Sequence, residues 1–310
     1  MIICCGEALI DMIPVINDNG EISLMPKSGG AVFNTALALG RLGASTGFIS
    51  GLSHDLFGKQ LTDYLHSSKV DTSLAVNSNR PTTLAFVELT NGQASYTFYD
   101  ENTAGRMLEP DDLPTIPNEV NTLFFGGISL ISEPAADFYA ALAVNESQSK
   151  MIVMDPNIRA GFITNEQRYR DRLNRIIAHT DMLKVSDEDL DWIIPSELTV
   201  DEKVAQISGM GPTIVLLTKG SDGAAAYING RLAAEVPAQK AEVVDTVGAG
   251  DTFNAGVMAQ LTKEGLVTKD QLANVSHEQL ERALAYGAQV AAVTVSRAGA
   301  NPPWASELAA

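Results

Sequence analysis

The chain has 310 residues, of which 45% are hydrophobic and 19% charged, and its formal net charge is −17. That length accommodates one large core, or a core with a small accessory layer. With no basic stripe to offset it, the acidity argues against nucleic acid or an anionic membrane as partner. An anionic nucleotide still fits, provided backbone N–H groups, a divalent cation and a few arginines receive it. The cysteines, Cys4 and Cys5, are neighbours in an apolar run. Alternation along a strand sends them to opposite faces, as core packing in a reducing compartment rather than a disulfide. His54, His66, His179 and His277 lack metal-site spacing. No basic residue precedes Lys27, Glu7 and Asp11 interrupt the first apolar run, and no later segment reads as a membrane span. A cytoplasmic location is the expectation.

In chain order, Met1 to Ile10 reads as a buried strand. Asp11 to Ile16 and Glu21 to Met25 flank Asn19-Gly20, a dipeptide suited to a hairpin turn. Ala31 to Leu42 has helical spacing, with Val32, Ala36 and Leu39 on one face. A strand near Gly47 to Ser50 and a helix from Leu56 to Ser67 follow. Thr82 to Thr90 and Ala94 to Tyr99 form a second hairpin, turning at Asn91-Gly92. From Asn121 onward, strands at Thr122 to Phe125, Met151 to Met154, Met182 to Val185 and Thr213 to Leu217 alternate with helices. Those helices are Pro134 to Val144, Glu166 to Ala178 and Asp187 to Ile194. A small hairpin turns at Asn229-Gly230, and helices near Ala249 to Lys263 and His277 to Thr294 close the chain. Short apolar strands alternating with helices predict an α/β core whose mostly parallel sheet is covered on both faces. The two early hairpins predict a small sheet over one edge.

Two glycine clusters carry the chemistry. In Asp245-Thr246-Val247-Gly248-Ala249-Gly250-Asp251-Thr252, a small-residue turn leads into a helix. Its first-turn N–H groups and the helix dipole favour an anion there. Asp251, in the same turn, is placed to accept a proton from a hydroxyl nucleophile. An anion cradle beside a base suits phosphoryl transfer from a nucleotide to an alcohol. In the second cluster, Ser28-Gly29-Gly30-Ala31-Val32-Phe33-Asn34 also opens a helix. Gly29 and Gly30 let a polar small molecule approach the backbone, and the Asn34 amide suits its hydroxyls; a plain hairpin-to-helix turn is the competing reading. No G-x-x-x-x-G-K-[ST] run is present, Phe253 stands where a dinucleotide fingerprint needs its third glycine, and Gly127-Ile128-Ser129 lacks the second glycine of a hydrolase elbow.

Together the clusters resemble the two sequence patterns of the ribokinase/PfkB family of sugar kinases. The first runs through Gly29, Gly30, Asn34, Gly40, Gly43 and Gly51, and the second from Asp245 to Val257. The likeness extends to Gly6-Glu7 and Asp11, Asp155-Pro156-Asn157, and Thr218-Lys219-Gly220. It implies a ribokinase-like three-layer α/β fold as one domain over 1–310, with a β-sheet lid formed by about 11–27 and 81–107. It also implies that Asp251 is the base, with the Gly248, Ala249, Gly250 and Asp251 amides as anion hole. Asp11, Gly29, Gly30, Asn34, Phe98, Arg106 and Arg159 are implied for the sugar, and Ser186, Thr218, Gly220, Gly248, Gly250 and Gly299 for ATP. Mg²⁺ is implied, held indirectly through water by Asp189, and Asp245 is a candidate for a monovalent cation such as K⁺ or for a turn cap. A homodimer through the lid follows by the same likeness.

Gly6-Glu7-Ala8-Leu9-Ile10-Asp11, Asp155-Pro156-Asn157-Ile158-Arg159 and the lid segment Tyr96 to Ala104 look most like fructokinases. Asp100 stands where many of those carry arginine; its charge disfavours an acidic sugar unless Arg106 or Arg159 offsets it. Serine and aspartate at Ser186 and Asp189 replace the family's common asparagine and glutamate. Ribokinase, 2-keto-3-deoxygluconate kinase, another sugar or nucleoside kinase, and a sugar- or nucleotide-binding regulator on a kinase fold are the alternatives.

Overall fold

A computed structural model describes residues 1–90 and 93–308. Its main sheet has nine strands, in the order Arg231–Val236, Ala224–Ile228, Ile214–Thr218, Met182–Ser186, Met151–Asp155, Thr122–Gly126, Ile2–Cys5, Thr46–Ile49 and Val70–Asp71. The strands are parallel except at one end, where Ala224–Ile228 runs antiparallel to both neighbours. Runs such as Ile-Ile-Cys-Cys and Met-Ile-Val-Met are buried throughout, as expected of strands with helices on both faces. Cys4 packs in the core on one face and Cys5 in the core on the other. The first core includes residues of the helices Ala31–Arg41, Ala249–Lys263 and His277–Val295, and the second those of Ala135–Glu146, Glu166–Ile177 and Val200–Ser208. This is the three-layer arrangement expected from the alternating pattern.

A separate four-stranded sheet forms the lid, in the order Ile22–Gly29, Leu9–Ile16, Leu84–Thr90 and Gln93–Tyr99. Its two hairpins join through a parallel pairing of Ile10 with Leu84 and Met12 with Phe86. The expected turn at Asn91-Gly92 lies outside the described residues.

The single strand expected over Met1 to Ile10 is in fact two strands in two different sheets, Ile2–Cys5 and Leu9–Ile16. Gly6 stands at the break. A Cβ there would lie 2.5 Å from Val32 Cγ2, so glycine lets the chain pass close against the helix Ala31–Arg41. Glu7 then turns its carboxylate onto that helix's first amides. The helix Val200–Ser208 was not expected from the sequence. Its signal is the capping box of Thr199 with Glu202. Short pieces such as Gly51–Ser53, Val76–Ser78, Lys269–Leu272 and Ala305–Leu308 carry too few residues for a periodicity to show.

The helices Ala249–Lys263 and His277–Val295 touch through glycine. A Cβ at Gly256 would sit 2.7 Å from Gly287 Cα and 3.0 Å from Val290 Cγ2. Gly256→Leu is therefore expected to destabilise the fold by about 1–3 kcal/mol through overpacking, read as a lower midpoint in urea unfolding.

Candidate active site

Parallel strands deliver the site residues at their carboxyl ends, where open α/β sheets bind ligands. Glu7 follows the strand Ile2–Cys5, Gly127 follows Thr122–Gly126, and Asn157 and Arg159 follow Met151–Asp155. Ser186 ends Met182–Ser186, and Gly220 follows Ile214–Thr218. The lid sheet closes over one part of this rim.

Two helices bring the chemistry together. The helix Ala249–Lys263 is capped by Gly248, whose φ of 79° is left-handed. A Cβ there would lie 2.6 Å from that of Ala300, so both backbone and space call for glycine. The Ala249 N–H is spent on Thr246 O at 3.3 Å. Those of Gly248, Gly250 and Asp251 have no acceptor among the described residues, so three of the four expected amides are free for an anion. Asp245 fixes the turn: its carboxylate accepts the Val247 N–H at 3.0 Å and the Gly299 N–H at 2.8 Å. The capping alternative thus describes the observed geometry of Asp245.

The second helix, Ala31–Arg41, starts from Gly30 at φ 112°, where a Cβ would meet Glu7 O at 2.8 Å. Gly30 supplies no side-chain cap. Glu7 supplies it from a distance, accepting the Ala31 N–H at 2.8 Å with one oxygen and the Ser129 N–H at 3.1 Å with the other. Burial raises the Glu7 pKa, and its hydrogen bonds with Ser129 and Val32 work against that rise. One turn on, Asn34 Nδ2 donates to Asp251 Oδ2 at 2.9 Å. Thr35 Oγ1 donates to Asp251 O at 3.2 Å. Asn34 Oδ1 is buried without a partner, a state that normally signals an absent ligand or water.

Asp251 is 8% exposed, and its pKa is pushed up to about 7. Burial is the main cause; the Asn34 hydrogen bond and Lys184 pull the other way, while Asp155 and Glu7 add repulsion. A carboxyl with a pKa near neutrality is suited to general-base work.

Around this pair lie three concavities. One of about 150 Å³ is lined by Asp11, Gly30, Phe98 and Arg159, together with Glu7, Tyr96, Asn157 and Phe162. Burial lifts the Asp11 pKa to about 6. Phe98 of the lid meets Phe162 of the core edge-on, with ring centroids 4.9 Å apart. A second cavity, of about 780 Å³, is lined by Ser186, Thr218, Gly220, Ala249 and Gly250, and also by Lys184 and Phe253. Gly29, Asn34, Asp245 and Gly299 share a third, open groove under the lid.

Several expected site residues are placed differently: Gly29 and Asn34, expected for the sugar, and Gly299, expected for ATP, line the third groove and not the two cavities, and Arg106 and Asp189 have other partners. Arg106 is absent from the lining of the 150 Å³ cavity. It is paired with Asp100 at 2.6 Å beside a smaller neighbouring hollow, and its Nε donates to Glu133 O at 2.9 Å. Asp100 is therefore neutralised by Arg106 and is not a bare charge facing a substrate. Asp189 spends both oxygens on backbone, accepting the Ile158 N–H at 2.9 Å and the Ser186 N–H at 3.2 Å. It closes the capping box of the helix Asp187–Ile193. Glu7 and Lys184 were missed as site residues. Glu7 lay inside the quoted motif Gly6 to Asp11. Lys184 had one signal, a lone charge in an apolar strand.

An acceptor cavity, a carboxylate tuned near pH 7 and a turn of free amides facing a larger cavity define a phosphotransferase on a ribokinase-like fold. The sequence matches the pfkB family carbohydrate kinases over residues 1–307, and the chain belongs to that family. It is 47% identical over 280 residues to a fructokinase of Rhizobium leguminosarum bv. trifolii, covering 90% of this chain and 85% of that one. A fructokinase of Klebsiella pneumoniae is 33% identical over 264 residues, 84% of each chain. Among solved structures, a fructokinase with bound ATP from Xylella fastidiosa superposes with a TM-score of 0.90 at 26% identity, covering 99% of this chain and 96% of that one. Among the described residues no helix is long and apolar enough to cross a membrane.

The raised Asp251 pKa has consequences of definite sign. A base at Asp251 would work ionised, so kcat/KM is expected to fall on the acid side with a midpoint near pH 7. Asn34→Ala removes a hydrogen bond that lowers this pKa, so the limb should move to higher pH. A carboxyl whose folded pKa exceeds its unfolded value destabilises the fold increasingly from pH 4 to 7. Asp251→Asn should therefore abolish turnover yet raise stability at pH 8, by an amount on the order of a few kcal/mol, measured by denaturant unfolding.

Proposed function

We propose that the chain is an ATP-dependent fructokinase, transferring the γ-phosphoryl group of ATP to the 6-hydroxyl of D-fructose. The observation that carries this reading is the Asn34–Asp251 hydrogen bond beside the Gly248 turn, with Asn34 on the groove under the small sheet and Ala249 and Gly250 in the wall of a cavity of nucleotide size. The likeness to two bacterial fructokinases supports the choice of sugar. Pairing of Asp100 with Arg106 means that neither charge is free to select a charged sugar, which suits an uncharged hexose.

In this reading fructose lies against Asp11, Gly30, Phe98 and Arg159. Phe98 and Phe162 cover its apolar face and exclude water. Asn34 Oδ1, orphaned without ligand, accepts a sugar hydroxyl while its Nδ2 keeps Asp251 in place. Asp251 takes the proton of the 6-hydroxyl as that oxygen bonds to the γ-phosphorus. The bond from the γ-phosphorus to the bridging oxygen breaks, and its electron pair leaves with ADP. The free N–H groups of Gly248, Gly250 and Asp251 stabilise the charge on the phosphoryl oxygens. Ser186, Thr218 and Gly220 flank the nucleotide.

Among the described residues no group of three or more His, Cys, Asp and Glu is arranged to hold a metal ion. Mg²⁺ would arrive on the phosphates of ATP, keeping most of its waters. When bound, it neutralises charge on the phosphate oxygens. Asp187 and Glu188, in the cavity wall, are better placed than Asp189 to hold its water shell. The reading includes a homodimer through the lid in the cytoplasm. The lid exposes Ile16 at 71%, Ile22 at 74% and Tyr99 at 61%, and a mate that covers them would remove an apolar patch from water.

Purified protein with ATP and Mg²⁺ should form ADP in a coupled assay faster with fructose than with ribose or 2-keto-3-deoxygluconate. Asp251→Ala should lower kcat by about 10²–10⁴-fold without loss of folded secondary structure by circular dichroism; full turnover in that variant would sink the mechanism. Light scattering should give twice the chain mass, falling to one chain mass in Ile16→Glu/Ile22→Glu.

A further inference from the structure

Lys184 is a cation buried in the middle of the main sheet. Its side chain is 7% exposed, and it pairs with Asp155 Oδ2, on the neighbouring strand, at 3.0 Å. Burying an ammonium is costly unless its charge and its donors are all matched. The charge is matched. The Lys184 ammonium stays protonated, its pKa raised: burial works against it, and the carboxylates of Asp155, Asp189 and Asp251 outweigh burial. The donors are not matched. An ammonium offers three N–H bonds, and among the described residues Asp155 is its one hydrogen-bond acceptor.

Asp155, by contrast, has other partners. Its Oδ2 also accepts from Asn254 Nδ2 at 2.6 Å, and its Oδ1 accepts the Asn157 N–H at 3.1 Å. A counter-ion for Asp155 is thus only part of what Lys184 offers. Its Nζ lies 3.4 Å from where a Cβ on Gly250 would stand, and the side chain lines the 780 Å³ cavity. Its unspent donors are therefore beside the free N–H of Gly250, at the start of the helix Ala249–Lys263.

We propose that Lys184 is a catalytic residue: its ammonium donates to a non-bridging oxygen of the phosphoryl group in transfer, completing the anion hole from the sheet side. This rests on the phosphotransfer reading above. The glycine turn supplies dipoles, and Lys184 adds a full positive charge held in place by Asp155 and Asn254. In a site sheltered from water such a preorganised charge acts on the transition state without reorganising.

The test uses K184M and the double variant D155N/K184M in the full-length protein, assayed with fructose at pH 9, where Asp251 is ionised. K184M leaves Asp155 buried without a counter-charge and loses stability. The double variant leaves the spot neutral and should melt close to the wild type. Both should lose about 10²–10³-fold in kcat. Calorimetry should show the double variant binding a non-hydrolysable ATP analogue about tenfold or more weakly, with AMP affinity unchanged. If the double variant recovers wild-type kcat, or holds the analogue and AMP in the wild-type ratio, Lys184 is only the counter-ion of Asp155 and the proposal fails. If the wild type neither binds the analogue nor turns over fructose, the phosphotransfer reading itself fails.

Discussion

The hydrogen bond from Asn34 Nδ2 to Asp251 Oδ2 joins residues 217 apart in the chain at 2.9 Å. It ties two helices, each opened by glycine, into one site. Each helix leaves the sheet by a different route. Ala31–Arg41 starts from the lid hairpin through Gly30, and Ala249–Lys263 starts from a turn held to Gly299 by Asp245. Thr35 adds a second tie, to the Asp251 carbonyl. In the proposed reaction, binding of the acceptor and positioning of the base would both depend on Asn34.

Around the bond is a buried charge cluster whose members set one another's protonation. Burial pushes Asp251 toward its neutral form, Asp155 and Glu7 push it the same way, and Asn34 and Lys184 oppose them. The result is a carboxyl poised near neutrality rather than one fixed in either state. Lys184 and Asp155 neutralise each other across adjacent strands, and Asn254 reaches them from the Asp251 helix. The sheet, which sequence patterning treats as packing, thus carries part of the electrostatics of the site.

Much of the fold was legible because its elements repeat one physical pattern. Strands buried on both faces are short and mostly apolar, and helices between them such as Glu166–Ile177 and Val200–Ser208 carry a 3.6-residue stripe. The misreadings have local causes. Met1 to Ile10 reads as one strand because it is mostly apolar, whereas Ile2–Cys5 and the start of Leu9–Ile16 belong to different sheets; the close packing of Gly6 on Val32 between them is remote in sequence. Asp189 resembles a metal-side carboxylate by spacing, but spacing cannot register the Ile158 and Ser186 amides that occupy it. Arg106 is one of two arginines that the sequence offers to offset Asp100, and only the folded chain shows that it is the one paired with it.

By itself the sequence pointed to the reaction class. The Gly248 turn and Asp251 indicate an anion site beside a carboxylate, and only their pairing with Gly29, Gly30 and Asn34 carries the resemblance to sugar kinases that makes the reaction phosphoryl transfer. The sequence also determined the layer architecture, through the periodicity of burial. Only the tertiary structure decided how the site is tuned. The orphaned Asn34 Oδ1, the raised Asp251 pKa, the distant cap that Glu7 makes and the unspent donors of Lys184 all arise between segments far apart in the chain. Desolvation and hydrogen-bond partners are properties of the folded surroundings, and no short stretch of sequence contains them.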